Sequence, residues 1–136
     1  MAKKDWPDKD PESRLSKGLT MRRKVLGDDY VDQALANMDE VNEPLQRLVT
    51  EYCWGEVWNR EGLSLKTRSL LNIAMMTALN RPHELTIHLR GALRNGCDRR
   101  EISETILQSA IYCGVPAAID SMRNFQSVLR ETPEES

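Results

Sequence analysis

Apolar residues recur at intervals of three and four along most of this chain, the spacing that places them on one face of an α-helix. A clear early example runs from Val41 to about Trp58. Its apolar positions are Leu45, Leu48, Val49, Tyr52, Cys53 and Val57. No segment alternates between apolar and polar residues as a half-buried strand does. The pattern therefore predicts an all-α protein.

Capping and breaking residues divide the chain into about six to seven helices. Ser64 and Asp98 can accept hydrogen bonds from the free N–H groups at helix starts, and Glu101 completes a capping box with Asp98. Glycines that can end or break helices are Gly27, Gly62, Gly96 and Gly114. The predicted helices cover residues 14–26, 28–38, 41–58, 65–79, 82–94, 98–113 and 116–130.

The predicted helix 65–79 is apolar on nearly all sides, which places it at the centre of a bundle. Its conspicuous polar residues are Arg68 and Asn72, which lie four residues apart on one face and need partners in the core. Short connections between the later helices favour antiparallel neighbours. We therefore expect the second half of the chain to form a compact helical bundle. Because aromatic residues are few, we expect a partner subunit to complete its core.

Length and composition fit one globular domain. The chain has 136 residues, of which 40% are hydrophobic and 29% are charged, and this is a common size for a domain with its own core. Residues 1–13 contain two prolines among charged residues and are predicted to be a flexible tail. We expect a single helical domain over residues 14–131 and a short tail at 132–136.

The charge balance excludes some classes of partner. The net charge of −2 and the mixing of basic with acidic residues do not favour nucleic-acid binding. No apolar run approaches the roughly 18 residues needed to cross a bilayer, and the polar N-terminus does not resemble a signal peptide. We therefore expect a cytoplasmic protein that binds neither nucleic acid nor membranes.

The three cysteines are Cys53, Cys97 and Cys113. They form no CxxC motif, and no pair of histidines has the spacing of metal ligands. The sequence therefore predicts neither a metal site nor a dithiol. A free cysteine commonly behaves as a small buried apolar residue, so we assign these three no role.

Glu84 and His88 are the best candidates for catalysis. They lie four residues apart on the predicted helix 82–94, so their side chains are neighbours, and Gly91 leaves room on the same face. A carboxylate beside an imidazole can fix its tautomer and stabilise its charged form, giving a group that exchanges protons near neutral pH. The alternative is an ordinary surface ion pair on a helix. Spacing alone does not decide between the two.

Trp54, Glu56 and Trp58 form a second cluster at the end of the predicted helix 41–58. The indoles can form the wall of a ligand site, or they can pack the helix end against the bundle while Glu56 pairs with a base such as Arg68. Arg68 can instead bind a substrate carboxylate through its planar guanidinium group. The sequence leaves these alternatives open.

Several segments in a fixed order resemble the gamma-carboxymuconolactone decarboxylase family. The resemblance is carried by WGEVW at 54–58, LKTRSLLNIAMMTALN at 65–80, ELTIHLRGA at 84–92, Asn95-Gly96 and IYCGVPAA at 111–118. It covers residues 18–130. It favours a site role for Glu84 and His88 over a surface ion pair.

The resemblance implies an alkylhydroperoxidase D-like, all-helical fold that assembles as a homohexamer, a trimer of dimers. Relatives with peroxidase activity carry a CxxCxxxH motif in the helix of His88. With the histidine at position 88, the two thiols of that motif fall at positions 81 and 84, which here are Arg81 and Glu84. The resemblance therefore implies that the thiol chemistry is absent.

The resemblance also implies an activity on a small lactone dicarboxylate. This is the decarboxylation of 4-carboxymuconolactone to 3-oxoadipate enol-lactone and CO2 in protocatechuate breakdown, part of the β-ketoadipate pathway. The substrate contains its own electron sink, so no cofactor is expected. In this hypothesis His88 delivers a proton and Glu84 orients it. The residues expected to bind substrate are Arg68, Trp54, Trp58 and Glu56.

Two other classes of function remain as alternatives. An alkylhydroperoxidase-like antioxidant protein would require a reactive, exposed cysteine with a lowered pKa. A non-catalytic helical oligomer that binds a small ligand would leave Glu84 and His88 as a surface ion pair. A peroxide-consumption assay separates the first alternative from a decarboxylase, and turnover of a lactone separates the second.

Overall fold

This computed structural model describes Trp6 and residues 9–131. The regular structure of these residues consists of seven α-helices and one π-helical segment. The helices are α1 (Arg14–Leu26), α2 (Asp28–Ala36), α3 (Glu43–Leu48), α4 (Leu65–Ala78), α5 (Pro82–Arg94), α6 (Arg99–Cys113) and α7 (Val115–Glu131). The π-helical segment is Val49–Val57. Within this part of the chain there is no strand. The prediction of an all-α fold is confirmed.

The chain divides into two units, Met1–Leu63 and Ser64–Ser136. The single domain expected over residues 14–131 stays a prediction. Of the two predicted tails, residues 1–5, 7 and 8 and residues 132–136 lie outside the described residues. Trp6 is only 6% exposed, and its indole Nε1 donates a hydrogen bond to Glu43 Oε1 at 3.0 Å.

The predicted helix starts at Ser64 and Asp98 are confirmed. The Ser64 hydroxyl accepts a hydrogen bond from the backbone N–H of Thr67 at 3.1 Å. The Asp98 carboxylate accepts from the backbone N–H of Glu101 at 2.7 Å, while the Glu101 carboxylate accepts from the N–H of Asp98 at 3.0 Å. These bonds satisfy backbone donors that have no partner inside the helix, and they fix where α4 and α6 begin.

The long helix expected over 41–58 is instead two pieces. The α-helix α3 ends at Leu48, and a π-helix follows, in which N–H groups bond to the carbonyl five residues earlier. At its end the N–H of Trp58 donates to the Cys53 carbonyl at 2.9 Å. The wider turn changes which residues share a face of the helix.

The consequence is visible in the burial pattern of the first unit. Leu45 and Tyr52, on the predicted apolar face, are 61% and 59% exposed. Thr50 and Trp54 are buried in their place. The 3.6-residue period therefore identified a helical segment here, and of its six apolar positions Val49, Cys53 and Val57 are half-buried while the other three are exposed in the single chain.

Two glycines let α1 and the π-helical segment touch backbone to backbone. A Cβ at Gly18 would lie 1.9 Å from the carbonyl oxygen of Thr50, and one at Gly55 would lie 2.4 Å from that of Arg14. Both distances are far below van der Waals contact, so neither position has room for a side chain. The close packing of the first unit depends on these two glycines.

The second unit is built around a buried apolar core. In it α4 packs against α5 and α6, and α7 packs against α5 and α6. The most deeply buried core side chains of this unit are Ile73, Leu85, Leu89, Ile102, Ile106, Phe125 and Val128. The helix predicted at 65–79 is not more central than its neighbours. Each of the four helices of the unit contacts the other three, and in the single chain Leu71, Met75 and Leu79 are exposed.

A tight turn joins α4 to α5. Asn80 has a φ of 55°, the left-handed conformation that asparagine tolerates better than most residues. The N–H of Arg81 donates to the Met76 carbonyl at 3.0 Å, and Pro82 then occupies the first turn of α5, where its missing N–H costs nothing. The two helices therefore meet as a hairpin centred on Asn80.

Candidate active site

His88 lies on α5, half-buried, between neighbours that belong to the core. Ile87 and Leu89 on either side of it are 5% and 0% exposed. Asn72 on α4 and His88 on α5 are each eight residues from Asn80, so the hairpin brings them opposite one another. The Asn72 side-chain amide nitrogen Nδ2 is 3.4 Å from His88 Nδ1. This is the partner in the core that the sequence predicted Asn72 to need.

Burial and charge act in opposite directions on the imidazole. Desolvation lowers the pKa of His88 below its ordinary value of 6.5, because the charged form loses hydration. The negative charge of Glu84 acts the other way and raises it, but burial has the larger effect. Burial therefore favours the neutral form of the ring, and the stabilisation of the charged form by Glu84, expected from the sequence, offsets this only in part.

Glu84 stands one helical turn before His88, at the exposed end of α5. Its carboxylate remains in solvent while the imidazole is half-buried. An exposed charge is screened by water, which explains why the carboxylate offsets burial only in part. Gly91, one turn beyond His88, is buried.

Arg68 precedes Asn72 by one turn on α4 and is half-buried. Its Nε nitrogen lies below the protein surface. A guanidinium group in such a place keeps its charge and can present a planar pair of donors to a carboxylate. The hairpin thus carries an arginine, an amide and an imidazole on two neighbouring helices.

The predicted aromatic cluster belongs to the first unit. Trp54 and Trp58 stack with ring centroids 4.7 Å apart and an interplanar angle of 24°, and they are only 3% and 4% exposed. Glu56 is half-buried, with Arg14 and Arg60 at 3.8 and 3.9 Å. The indoles therefore contribute to packing, the second of the two alternatives that their spacing allowed. Their role in substrate binding, and that of Glu56, stays a prediction.

The sequence did not single out an apolar cavity of about 350 Å³ between α4 and α6. Its lining residues are Leu70, Leu71, Ala74, Thr105, Gln108, Ser109, Tyr112 and Cys113. Neither Glu84 nor His88 lines it. Three of its members, Leu70, Leu71 and Ala74, belong to the apolar run of α4, and the breadth of that run was the available signal for an apolar surface on this side of the helix.

The cysteines differ in exposure. Cys97 is 3% exposed and Cys53 is half-buried, and burial raises the pKa of both thiols above its ordinary value. Cys113 is exposed at the end of α6. Among the residues described, no three His, Cys, Asp or Glu side chains come together in a group that could hold a metal ion. In the same part of the chain, no helix has the length and apolar character required to span a membrane.

The fold and the hairpin define a class: small all-α proteins that hold an imidazole on a helical hairpin. The family model described as the carboxymuconolactone decarboxylase family matches residues 43–126. This match includes more than half of the chain and all of the residues from Arg68 to His88. The chain belongs to the carboxymuconolactone decarboxylase family.

Three relatives extend the comparison. The 4-carboxymuconolactone decarboxylase of Acinetobacter baylyi is 39% identical over 120 residues, which are 88% of this chain and 90% of that protein. The nitrosuccinic acid decarboxylase of Metarhizium robertsii is 41% identical over 117 residues, 86% of this chain and 82% of that protein. An uncharacterised 15.0 kDa protein of Paracoccus denitrificans is 43% identical over 88 residues, 62% of this chain and 65% of that protein.

Proposed function

We propose that this protein is a cofactor-independent carboxy-lyase that converts 4-carboxymuconolactone to 3-oxoadipate enol-lactone and CO2 in protocatechuate catabolism, the β-ketoadipate pathway. The observation that carries the proposal is the half-buried His88 bonded to Asn72 on the α4–α5 hairpin. It occurs in a chain 39% identical, over 88% of its length, to a 4-carboxymuconolactone decarboxylase.

The chemistry of this substrate sets what the protein has to supply. The bond between the ring carbon and its carboxylate breaks, CO2 leaves, and the electron pair moves through the conjugated double bond onto the lactone carbonyl oxygen. A proton then adds to the carbon next to the lactone carbonyl. The protein must hold the substrate anion, stabilise the negative oxygen and let the proton arrive.

The hairpin residues fit these requirements. His88 meets the reacting part of the substrate, either as the proton donor expected from the sequence or as a donor to the negative oxygen. Glu84 orients the ring and tunes its pKa. Arg68 binds a substrate carboxylate through its guanidinium group. Trp54, Trp58 and Glu56, which belong to the first unit, are proposed separately as substrate-binding residues.

A second substrate is favoured by the relative from Metarhizium robertsii. That protein is a nitrosuccinic acid decarboxylase and is 41% identical to this chain. Loss of CO2 from the nitro-bearing carbon also leaves a carbanion at that carbon, and its charge spreads onto the nitro oxygens. The same three requirements apply, so the site chemistry alone does not separate the two substrates.

The test is direct turnover with both compounds. Purified protein is supplied with 4-carboxymuconolactone or with nitrosuccinate, and release of CO2 and formation of product are followed with His88→Ala as control. We expect His88-dependent turnover of the lactone at a higher kcat/KM than that of nitrosuccinate. A preference for nitrosuccinate would establish the second candidate instead, and turnover of neither would overturn the proposal.

We also propose a cytoplasmic homohexamer, arranged as a trimer of dimers. The support is the amount of apolar surface that a single chain leaves open, because large exposed apolar patches commonly mark protein contacts. In the second unit the exposed apolar residues include Leu71, Met75, Leu79, Leu107, Ile111, Tyr112, Val115 and Ile119. Native mass spectrometry tests the subunit number, and a monomer at micromolar concentration would contradict the assembly.

A further inference from the structure

The contact between Asn72 and His88 links the orientation of the Asn72 amide to the position of the proton on the imidazole. The atom of Asn72 that faces the ring is its amide nitrogen Nδ2, 3.4 Å from His88 Nδ1. An amide –NH2 group can only donate, so this contact is a hydrogen bond when Nδ1 is the unprotonated, accepting nitrogen. In a neutral imidazole the single proton then resides on Nε2.

We propose that Asn72 is a positioning residue that holds His88 as the neutral Nε2–H tautomer, so that Nε2–H donates a hydrogen bond to the oxygen on which negative charge collects during decarboxylation. This inference rests on the proposed function and refines the role of His88. The imidazole stabilises the oxygen, and water supplies the proton that the carbon receives after CO2 has left.

The position of the ring supports a neutral donor. The His88 side chain is half-buried, and burial disfavours its charged form. The charged group that acts on it, Glu84, is exposed, and its effect is smaller than that of burial. A protonated ring would also turn Nδ1–H toward the Asn72 –NH2 group, placing two donors against each other.

Proton delivery by His88 would require the opposite arrangement. An imidazolium that gives up its Nε2 proton ends as the Nδ1–H tautomer, and this form needs an acceptor at Asn72. The amide oxygen of Asn72 would then have to face the ring. The two mechanisms therefore predict different tautomers of the resting protein.

The tautomer can be read by 15N NMR of the full-length protein labelled at histidine. The chain has only two histidines, so His88→Gln assigns the His88 signals against those of His83. At a pH above the His88 titration, we expect Nδ1 to show the shift of an unprotonated nitrogen and Nε2 that of a protonated one. A protonated Nδ1 would overturn the proposal, whatever substrate the protein uses.

Substitution of Asn72 supplies the second readout. Asn72→Asp places an acceptor at Nδ1, so we expect the Nδ1–H tautomer, a higher His88 pKa and a kcat reduced about tenfold or more with little change in KM. Asn124→Ala is the matched control. Its amide is also half-buried and binds α5, but at Thr86 and the Pro82 carbonyl. We expect this control to leave the tautomer and kcat unchanged.

The outcomes separate this inference from the proposed function. The tautomer is measured without substrate, so an inactive protein with Nε2–H leaves the inference standing while the proposed function fails. A protein that decarboxylates the lactone but carries the proton on Nδ1 supports the proposed function and overturns the inference. An Asn72→Asp protein that keeps wild-type kcat despite a switched tautomer would also overturn the role proposed for Asn72.

Discussion

Glu84 and His88 are one helical turn apart on α5, yet the carboxylate is exposed to solvent and the imidazole is half-buried. The two effects of this placement oppose each other, since burial lowers the pKa of His88 and the charge of Glu84 raises it. Glu84 is therefore an exposed charge that raises the pKa of His88, and not a buried acid.

The first prediction concerns His88 itself. We expect His88→Ala to lower kcat by at least about a hundredfold, because one preorganised donor to a developing oxyanion contributes about 10²–10³ in rate. The measurement is steady-state decarboxylation with 4-carboxymuconolactone. Circular dichroism and native mass spectrometry verify that the variant retains its fold and assembly. A folded variant with near wild-type turnover would remove the imidazole from the mechanism.

The second prediction concerns pH. The pKa of folded His88 lies below 6.5, so we expect activity to fall on the acid side as the ring becomes protonated. Glu84→Gln removes the influence that raises this pKa, and the acid limb of the kcat profile should move to lower pH. NMR titration of His88 checks the same shift without substrate. An unmoved limb and an unmoved titration would show that Glu84 does not act on the ring.

Stability should respond to the same group. A folded-state pKa that is lower than the unfolded one means that the unfolded chain binds the proton more readily. The contribution of His88 is therefore fully present above the ordinary value of 6.5 and is lost as the pH falls below it toward the folded-state pKa. Denaturant unfolding of wild type and His88→Gln between pH 7.5 and 5, values chosen to bracket about 6.5, should show a smaller acid loss in the variant.

The third prediction concerns Arg68. If its guanidinium binds a substrate carboxylate, Arg68→Ala should raise KM by about tenfold to a hundredfold, since charge-assisted hydrogen bonds contribute about 1.5–3 kcal/mol. Arg94→Ala, which removes an exposed arginine on α5, is the matched control and should change KM little. Unaltered kinetics in a folded Arg68→Ala protein would leave Arg68 with a structural role alone.

The fourth prediction concerns the packing of the first unit. Gly18→Ala and Gly55→Ala place a methyl group against backbone carbonyls at 1.9 and 2.4 Å, so α1 and the π-helical segment have to separate. We expect each to destabilise the protein by about 1–3 kcal/mol or more in denaturant unfolding. Gly62→Ala is the control, because nothing lies within 4 Å of its added methyl group. Equal stability of all three variants would contradict the backbone contact.

The fifth prediction concerns the thiols. Cys113 is exposed, whereas Cys97 is buried and Cys53 is half-buried with a raised pKa. Cys113 lies among the exposed apolar residues proposed to contact partner subunits, so we expect it to react rapidly with a thiol reagent in dissociated subunits, and the other two thiols to react after unfolding. Cys113→Ser should abolish the rapid phase and leave decarboxylation unchanged. Peroxide consumption that depends on Cys53 or Cys113 would support the antioxidant alternative.

Local signals in the sequence predicted the second unit well. Ser64, Asp98 and Glu101 act through bonds to residues three positions away, so their capping roles can be read without knowing the rest of the fold. The same is true of Pro82, whose fixed φ suits the first turn of α5. Glu84 and His88 were recognisable as neighbours because they share one helix.

Features that depend on contacts between distant residues were not predictable in this way. The partner of Asn72 became identifiable only when the turn at Asn80 placed α5 against α4. The π-helical segment packs against α1 through Gly18 and Gly55, and the 3.6-residue period encodes neither the segment nor this contact. The lowered pKa of His88 likewise reflects burial, whereas its sequence neighbour Glu84 suggested the opposite direction.

The length of the connection between α4 and α5 determines whether His88 faces Asn72, although no atom of the connection takes part in the proposed chemistry. Each residue added or removed there turns the following helix by about 100° relative to the preceding one. A deletion at Asn80 would force a choice between keeping Leu85 and Leu89 in the core and keeping His88 opposite Asn72. An insertion or deletion in this loop is therefore expected to abolish activity even though every proposed catalytic side chain is retained.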